Sequence, residues 1–307
     1  MSTRREFMQQ AAVLAAAPFL PDIAVDDRLE VHIFSKHLQF LDYRDLAKAA
    51  ADLGFDGIDL TVRPGGHVLP ENAAAHLPKA VEAIRKKGLK CELTATAVNN
   101  VDDPVHRQVL EAAATQGIRY YRTGYYQYPK EGSMPEAMQV FKKQIHDLAT
   151  FSQRLGLQGS YQNHAGNYVG ASVWEIWQLL EQTPSGGMGC QFDIRHAVVE
   201  GGASWKTGLR LLHERINTIV AKDFIWQKSP KGWELTNVPL GEGMVDFKTY
   251  FGLLKQYGIK VPVSLHLEYP IGGAEHGVKD LPATAHKTAF EAMSRDLKRL
   301  QQLWKES

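Results

Sequence analysis

The sequence predicts an α/β protein built as a closed (β/α)8 TIM barrel, and three observations carry that prediction. Short β-rich runs alternate with amphipathic helical stretches eight times along the chain, the rhythm of βαβ units around a parallel sheet. Glycines Gly54, Gly88, Gly117, Gly156 and Gly258 each close a helical stretch just before the next strand. No Gly-x-Gly-x-x-Gly follows the first strand, which disfavours an open dinucleotide-binding sheet. Eight units in one chain of this length fit a closed barrel.

Taken in order, residues 1–25 read as an address and not as part of the barrel. Arg4-Arg5 is followed by Phe7, by the apolar run Ala11 to Leu20 and by Pro21. This resembles a twin-arginine export signal, and the run is too short for a transmembrane helix. The expectation is a single catalytic barrel over residues 26–307, exported folded to the periplasm by the twin-arginine machinery. The strands that follow are expected at Glu30–Phe34, Gly57–Val62, Lys90–Thr96, Ile118–Thr123, Gly159–Asn163, Gly189–Ile194, Thr218–Lys222 and Pro262–Glu268. Helices are expected between them at Tyr43–Leu53, Leu77–Lys87, Val105–Gln116, Pro135–Leu155, Val173–Glu181, Trp205–Glu214 and Phe247–Tyr257. A long insertion carrying Trp226 and Trp233 follows the seventh strand.

Composition narrows the function. With 44% hydrophobic residues among 307, the chain has material for a large core. Lys+Arg 35 against Asp+Glu 34 leaves a formal charge of +1, without the basic footprint of a nucleic-acid binder. No run of apolar residues is long enough to span a bilayer, so no stable membrane insertion is expected. Cys91 and Cys190 lie in apolar stretches and read as buried structural thiols. The partner implied is a small molecule.

Strand parity supplies candidate residues, because alternate side chains point inward and barrel chemistry gathers at the carboxyl ends of the strands. On the eighth strand Ser264, His266 and Glu268 share one face while Leu265 and Leu267 share the other. On the fifth, Ser160, Gln162 and His164 lie together; on the sixth, Gln191 and Asp193; on the seventh, Thr218, Val220 and Lys222. Burying such groups costs several kcal/mol unless they are paired or serve a site, roughly, so their convergence points to chemistry. Lys36 and His37 after the first strand, Arg63 and His67 after the second, and Arg122, Tyr125 and Tyr126 around the end of the fourth are further candidates at the mouth. Basic and aromatic groups there suit a polyhydroxylated or anionic substrate. Lys222 is expected either to pair with Asp223 or, if desolvation lowers its pKa, to form a Schiff base with a carbonyl substrate.

Asp193-Ile194-Arg195-His196, Lys222-Asp223, Pro239-Leu240-Gly241-Glu242-Gly243 and Leu267-Glu268 together resemble the sugar phosphate isomerase/epimerase group of xylose isomerase-like barrels, from about residue 30 onward. That resemblance implies a divalent metal held by a Glu, an Asp, a His or Gln, and a Glu on the fifth to eighth strands. Asp193 and Glu268 match two of these positions, and His196 matches a residue that touches substrate. Gln162 stands where the Glu would be, and Val220 where the His would be. Glu to Gln keeps an oxygen but loses a charge, and Val cannot ligate. Asp193, Glu268 and Gln162 are therefore the expected ligands for Mn²⁺, Mg²⁺ or Zn²⁺. Because Gln162 removes one of two facing carboxylates, the resemblance implies proton abstraction α to a carbonyl by one base, Glu268 or His164. Lys222, His196 or a metal would stabilise the enolate, and His196, His266, Gln162, Arg122 and His37 would bind a sugar or keto-sugar. Epimerisation and elimination both satisfy this reading, as in a 3-keto-glycoside lyase or dehydratase. A non-catalytic carbohydrate-binding barrel with a decayed metal site is the alternative from another class.

Overall fold

The computed structural model describes residues 27–307, and the expected export signal lies outside them. Eight parallel strands close a barrel in the order β1 (Val31–Phe34), β2 (Gly57–Val62), β3 (Lys90–Thr96), β4 (Tyr120–Arg122), β5 (Gln158–Gln162), β6 (Met188–Asp193), β7 (Ile216–Ala221) and β10 (Val263–Leu265). The remaining two, β8 (Asp223–Ser229) and β9 (Gly232–Val238), form an antiparallel hairpin directly after β7. That hairpin is the long insertion, and its regular pairing was not foreseen. The helices outside the barrel are α1 (Tyr43–Leu53), α2 (Ala73–Arg85), α3 (Pro104–Thr115), α4 (Met134–Arg154), α5 (Val173–Leu180), α6 (Ile194–Gly201), α7 (Trp205–Leu212), α8 (Phe247–Gln256) and α9 (Ala283–Lys305). Among the described residues no helix is long and apolar enough to cross a membrane.

Local chemistry sets the boundaries. Asp42 caps α1 by accepting the backbone N–H groups of Arg44 and Asp45, and Gly54 ends it at φ 87°, a conformation that a Cβ would strain. Asp103, Ser133 and Asp246 cap α3, α4 and α8 in the same way. The eighth barrel strand is shorter than expected, Val263–Leu265 instead of Pro262–Glu268. His266 N–H still bonds the Ala221 carbonyl at 3.1 Å, and beyond it the backbone leaves the sheet.

The main apolar core fills the layer between sheet and helices, where Leu265 and Leu267 are fully buried. Polar side chains turn the other way. Register pairs Gln162 with Gln191, Asp193 with Val220, and Val220 with Ser264, so these residues lie on one face of adjacent strands. Cys91 and Cys190 are free and buried, and burial pushes the Cys91 thiol up to about 12, which keeps it protonated and unreactive.

Candidate active site

Asp193 ends β6 and starts α6, and the chain fixes it from both sides. Its Oδ1 accepts the N–H of His196 at 3.2 Å, capping the helix. Its own N–H and carbonyl pair with the Asn163 amide at 2.8 and 2.9 Å. The second carboxylate oxygen faces inward. There it accepts from Gln162 Nε2 at 2.8 Å and lies 3.1 Å from Lys222 Nζ.

The ammonium of Lys222 is the centre of the arrangement. It stands 2.8 Å from His196 Nε2, 3.1 Å from Asp193 Oδ2 and 3.3 Å from Glu268 Oε2. Burial alone would lower its pKa, but the two carboxylates hold it above the ordinary lysine value. The expected pair between Lys222 and Asp223 does not form. Adjacent strand residues point to opposite faces, and Asp223 instead accepts backbone N–H groups from Phe224, Gly241, Gly243 and Val245. The Pro239–Gly243 segment is thus a loop wrapped around a carboxylate. A charged, paired Lys222 also leaves no place for the Schiff-base role.

Burial would raise the Asp193 carboxyl, yet it is held down at about 2. Of the nearby groups, Lys222 supplies the opposing charge. Burial and neighbouring cations keep His196 well below the usual histidine range, with Lys222 at one ring nitrogen and Arg195 Nη1 3.0 Å from the other. Glu268 is likewise held well below the carboxylate range against its burial, chiefly by Lys222. The side chains differ in access. Asp193 is 0% exposed, Lys222 4% and Glu268 26%, so Glu268 is the member of the triad that meets a molecule entering from solvent.

His164 and His266 flank this centre. His164 donates Nδ1–H to the Ala165 carbonyl at 2.8 Å, because a carbonyl can only accept, and this leaves Nε2 as the basic nitrogen of the neutral ring. Its ring packs 4.1 Å from that of His196 and edge-on to Tyr125. His266 stacks on Phe34 at 4.2 Å and meets Ser264 Oγ at 3.2 Å through Nε2. Ser264 in turn donates to Asp59 at 2.7 Å, so Nε2 carries the proton. His266 Nδ1 then lies unpartnered 3.7 Å from Glu268 Oε1.

The structure therefore brings together Gln162, His164, Asp193, His196, Lys222, His266 and Glu268, with Arg122 donating to Gln162 Oε1 at 3.2 Å. His37 is spent differently. It is fully buried, and its Nε2 accepts the Leu267 N–H at 3.0 Å, tying the turn after β1 to the segment that carries Glu268. Asn237 was not foreseen: its amide joins Arg195, at 2.7 Å, to the Glu268 carbonyl, at 3.2 Å. It comes from the hairpin, which no sequence motif placed over the mouth. Asp59 and Phe34 were legible by the strand parity that picked out the others, since Asp59 shares a face of β2 with Gly57 and Thr61 and Phe34 shares one of β1 with His32.

The barrel and this mouth define the class. The chain belongs to the xylose isomerase-like TIM barrel family, whose profile matches residues 47–294. Solved structures share the fold at low identity. One is D-allulose 3-epimerase from Methylomonas sp. in complex with D-allulose, 16% identical with a TM-score of 0.62, covering 90% of this chain and 97% of that one. Another is 3-keto-D-glucoside 4-epimerase from E. coli, 12% identical with a TM-score of 0.63, covering 87% and 99%. A third is a xylose isomerase-like TIM barrel protein from Mycobacterium smegmatis in complex with magnesium, 12% identical with a TM-score of 0.65, covering 90% and 98%. No curated protein matches the chain in sequence.

A divalent metal does not fit the residues as they stand. Val220 offers no donor. Gln162 Oε1 is already claimed by Arg122, which can only donate, and by the Tyr125 hydroxyl, so Gln162 turns its amide N–H₂ toward Asp193. Lys222 holds the point toward which Asp193, Glu268 and His196 converge. Among the described residues no group of three or more His, Cys, Asp or Glu side chains is spaced to hold an ion. The expected ligand set of Asp193, Glu268 and Gln162 is knit together by protein donors instead.

Proposed function

We propose that the protein is a sugar isomerase- or epimerase-like enzyme that removes a proton α to the carbonyl of a sugar or keto-sugar. One observation carries this reading: a lysine ammonium held between two carboxylates at the mouth of the barrel, one of them reachable from solvent. Glu268 is the base. The ammonium of Lys222, desolvated and oriented, faces the carbonyl oxygen on which charge develops, a form of stabilisation worth about 3 kcal/mol or more. As Lys222 turns toward that oxygen its hold on Glu268 loosens, and the carboxylate becomes more basic when it is needed. His266 Nδ1, 3.7 Å from Glu268 Oε1, is the nearest acceptor to which the abstracted proton can pass. His164 approaches from β5, across the barrel from Glu268, and its Nε2 suits the return of a proton on the other face or the departure of a leaving group. The first outcome is epimerisation and the second elimination. Family membership and the activities of the structural relatives support the reading. Export is part of the same proposal and rests on the Arg4-Arg5 pair and the apolar run after it.

The test is solvent exchange. Purified protein in D₂O with a 3-keto-glucoside or a ketohexose is followed by NMR for deuterium at the α carbon. Exchange or elimination is expected, and Glu268→Gln, which keeps shape, should cut it by roughly 10²–10⁴-fold with an unchanged circular dichroism spectrum. Near-normal exchange in that variant would remove Glu268 from the chemistry. The replacements Gln162 and Val220 favour the second reading, a carbohydrate-binding barrel. Sugar binding by the wild type with neither exchange nor elimination would establish that one instead.

A further inference from the structure

We infer that Lys36, Arg63 and Arg122 form a subsite for an anionic group of the substrate, a carboxylate or a phosphate, so that an acidic sugar is handled at this mouth in preference to a neutral one. The inference deepens the reading above and rests on it for the word substrate.

The three cations come from neighbouring parts of the barrel rim: Lys36 from the turn after β1, Arg63 from the residue after β2, and Arg122 from the end of β4. Phe34 gathers the two guanidinium groups. Arg63 Cζ lies 5.4 Å and Arg122 Cζ 5.7 Å from the centre of its ring. That ring is itself fixed by stacking on His266, two residues before Glu268, so the cations are held beside the proposed chemistry.

None of the three has a partner of opposite charge. Among the described residues no carboxylate oxygen lies within 4.0 Å of Lys36 Nζ or of either guanidinium, whereas Lys222 has two such contacts. Arg122 is 7% exposed, gives one N–H to Gln162, and leaves Nε buried with no acceptor. Burial and the repulsion of Arg122 bring Arg63 down to about 10, so it stays charged at neutral pH. Burial, opposed by Glu268, likewise lowers Lys36.

The balance at the mouth is therefore positive. Lys36, Arg63, Arg122, Lys222 and Arg195 stand against Asp59, Asp193, Glu268 and the Glu200 that acts on Arg195, and one positive charge is left over. One hydrogen bond to Gln162 and packing on Phe34 and Tyr125 do not repay the burial of the Arg122 guanidinium, since a cation–π contact is a small term, and the half-buried Arg63 adds a second like charge beside it. An oxyanion does repay it. Arginine forks match the paired oxygens of a carboxylate or phosphate, and a lysine adds a point charge beside them. A substrate anchored there by its anionic end would reach Lys222 and Glu268 with its carbonyl.

Calorimetry on the full chain at low ionic strength tests this with three probes: D-glucuronate, D-glucose 6-phosphate and D-glucose. At least one anionic probe should bind about tenfold tighter than D-glucose or more, and the preference should shrink as salt is added. The probe that wins tells carboxylate from phosphate. In Arg63→Gln/Arg122→Gln, checked for folding by circular dichroism, the preference should vanish, while Glu268→Gln should keep it. Equal affinity for all three probes, no binding of either anion, or a preference surviving in the folded double variant would each overturn the subsite. The wild-type comparison decides even if the double variant does not fold. A protein that prefers anions but never exchanges the α proton would retain the subsite and sink the enzymatic reading.

Discussion

At Lys222 a single nitrogen stands where three ligand atoms meet. His196 Nε2, Asp193 Oδ2 and Glu268 Oε2 all lie within 3.3 Å of it, the first two held at the junction of β6 and α6 and the third on the segment after β10. Removing the ammonium should therefore free one nitrogen and two carboxylates, the donor chemistry of a transition-metal centre, which are not spaced for an ion as they stand and would have to close in on one. Lys222→Ala is expected to bind Mn²⁺, seen as a rise in melting temperature and a broadened Mn²⁺ resonance, and to lose proton exchange. Wild type should show neither effect of Mn²⁺, and EDTA should leave its exchange intact. Stoichiometric Mn²⁺ binding by wild type, no better in the variant, would contradict this account of the lysine. The grouping of Gln162, Asp193, Lys222, His266 and Glu268 was legible in the sequence because a strand has a period of two, and a polar face against a leucine face needs no coordinates to be seen. The partner of Lys222 was not. Sequence adjacency suggested Asp223, but adjacency on a strand separates side chains, and the true partners lie 29 and 46 residues away, a separation only barrel closure could bridge.

The same contrast holds for the elements. Strands β2 and β3 and helix α1 have the expected limits, because each is flanked by a turn glycine or a capping aspartate. Helix α6 was missed because its start is the site itself: Asp193 serves at once as cap and as inward carboxylate, and the eight residues that follow are too few for a helical period to stand out from the strand before it. The β8–β9 hairpin was missed because its strands are partly exposed and carry charge and indole in place of an apolar alternation. Close strand packing makes a clear demand on β6. A Cβ on Gly189 would lie 2.1 Å from Asn217 Oδ1 and 2.5 Å from the Arg215 carbonyl, and the backbone cannot yield without parting β6 from β7. Gly189→Ala should destabilise by about 3 kcal/mol and displace Asp193. Gly252, inside α8, has nothing within 4 Å of its would-be Cβ, so Gly252→Ala should stabilise by about 0.5–1 kcal/mol. Urea unfolding of both variants checks the pair, and a similar sign for the two would refute the packing argument.

Across the whole molecule, the burial that builds the mouth also fixes how the fold responds to acid. His37, His67, His164, His196 and His266 are all held below the ordinary histidine value, in each case first by burial, with His67 lowered to about 4. His67 is representative: its Nε2 meets the Leu38 carbonyl and its Nδ1 the Thr61 hydroxyl, both at 3.2 Å, a pattern the neutral ring satisfies. The unfolded chain takes up protons on these rings as pH falls below about 6.5, and the native chain does not. The native state thus binds fewer protons through this window, so stability is full above the unfolded value and drains away as pH drops from 6.5 toward 4. Each such ring contributes up to about 1.4 kcal/mol per pH unit. The depressed carboxyls of Glu30, Asp193 and Glu268 act with the same sign but at lower pH, from 4.5 for a glutamate down to about 2 for Glu30. Asp223 and Asp296, raised by burial, oppose them, and only in that lower range and just above it. Urea midpoints should therefore be flat above pH 7 and fall steadily between pH 6.5 and 4.5, before the carboxylates contribute. In His67→Gln, which keeps a polar group but cannot titrate, the fall should be shallower by about 2 kcal/mol at pH 5. A midpoint that holds level through that interval, or a slope the variant leaves unchanged, would mean that the rings are protonated in the native barrel and that the mouth carries more positive charge than the one left over here.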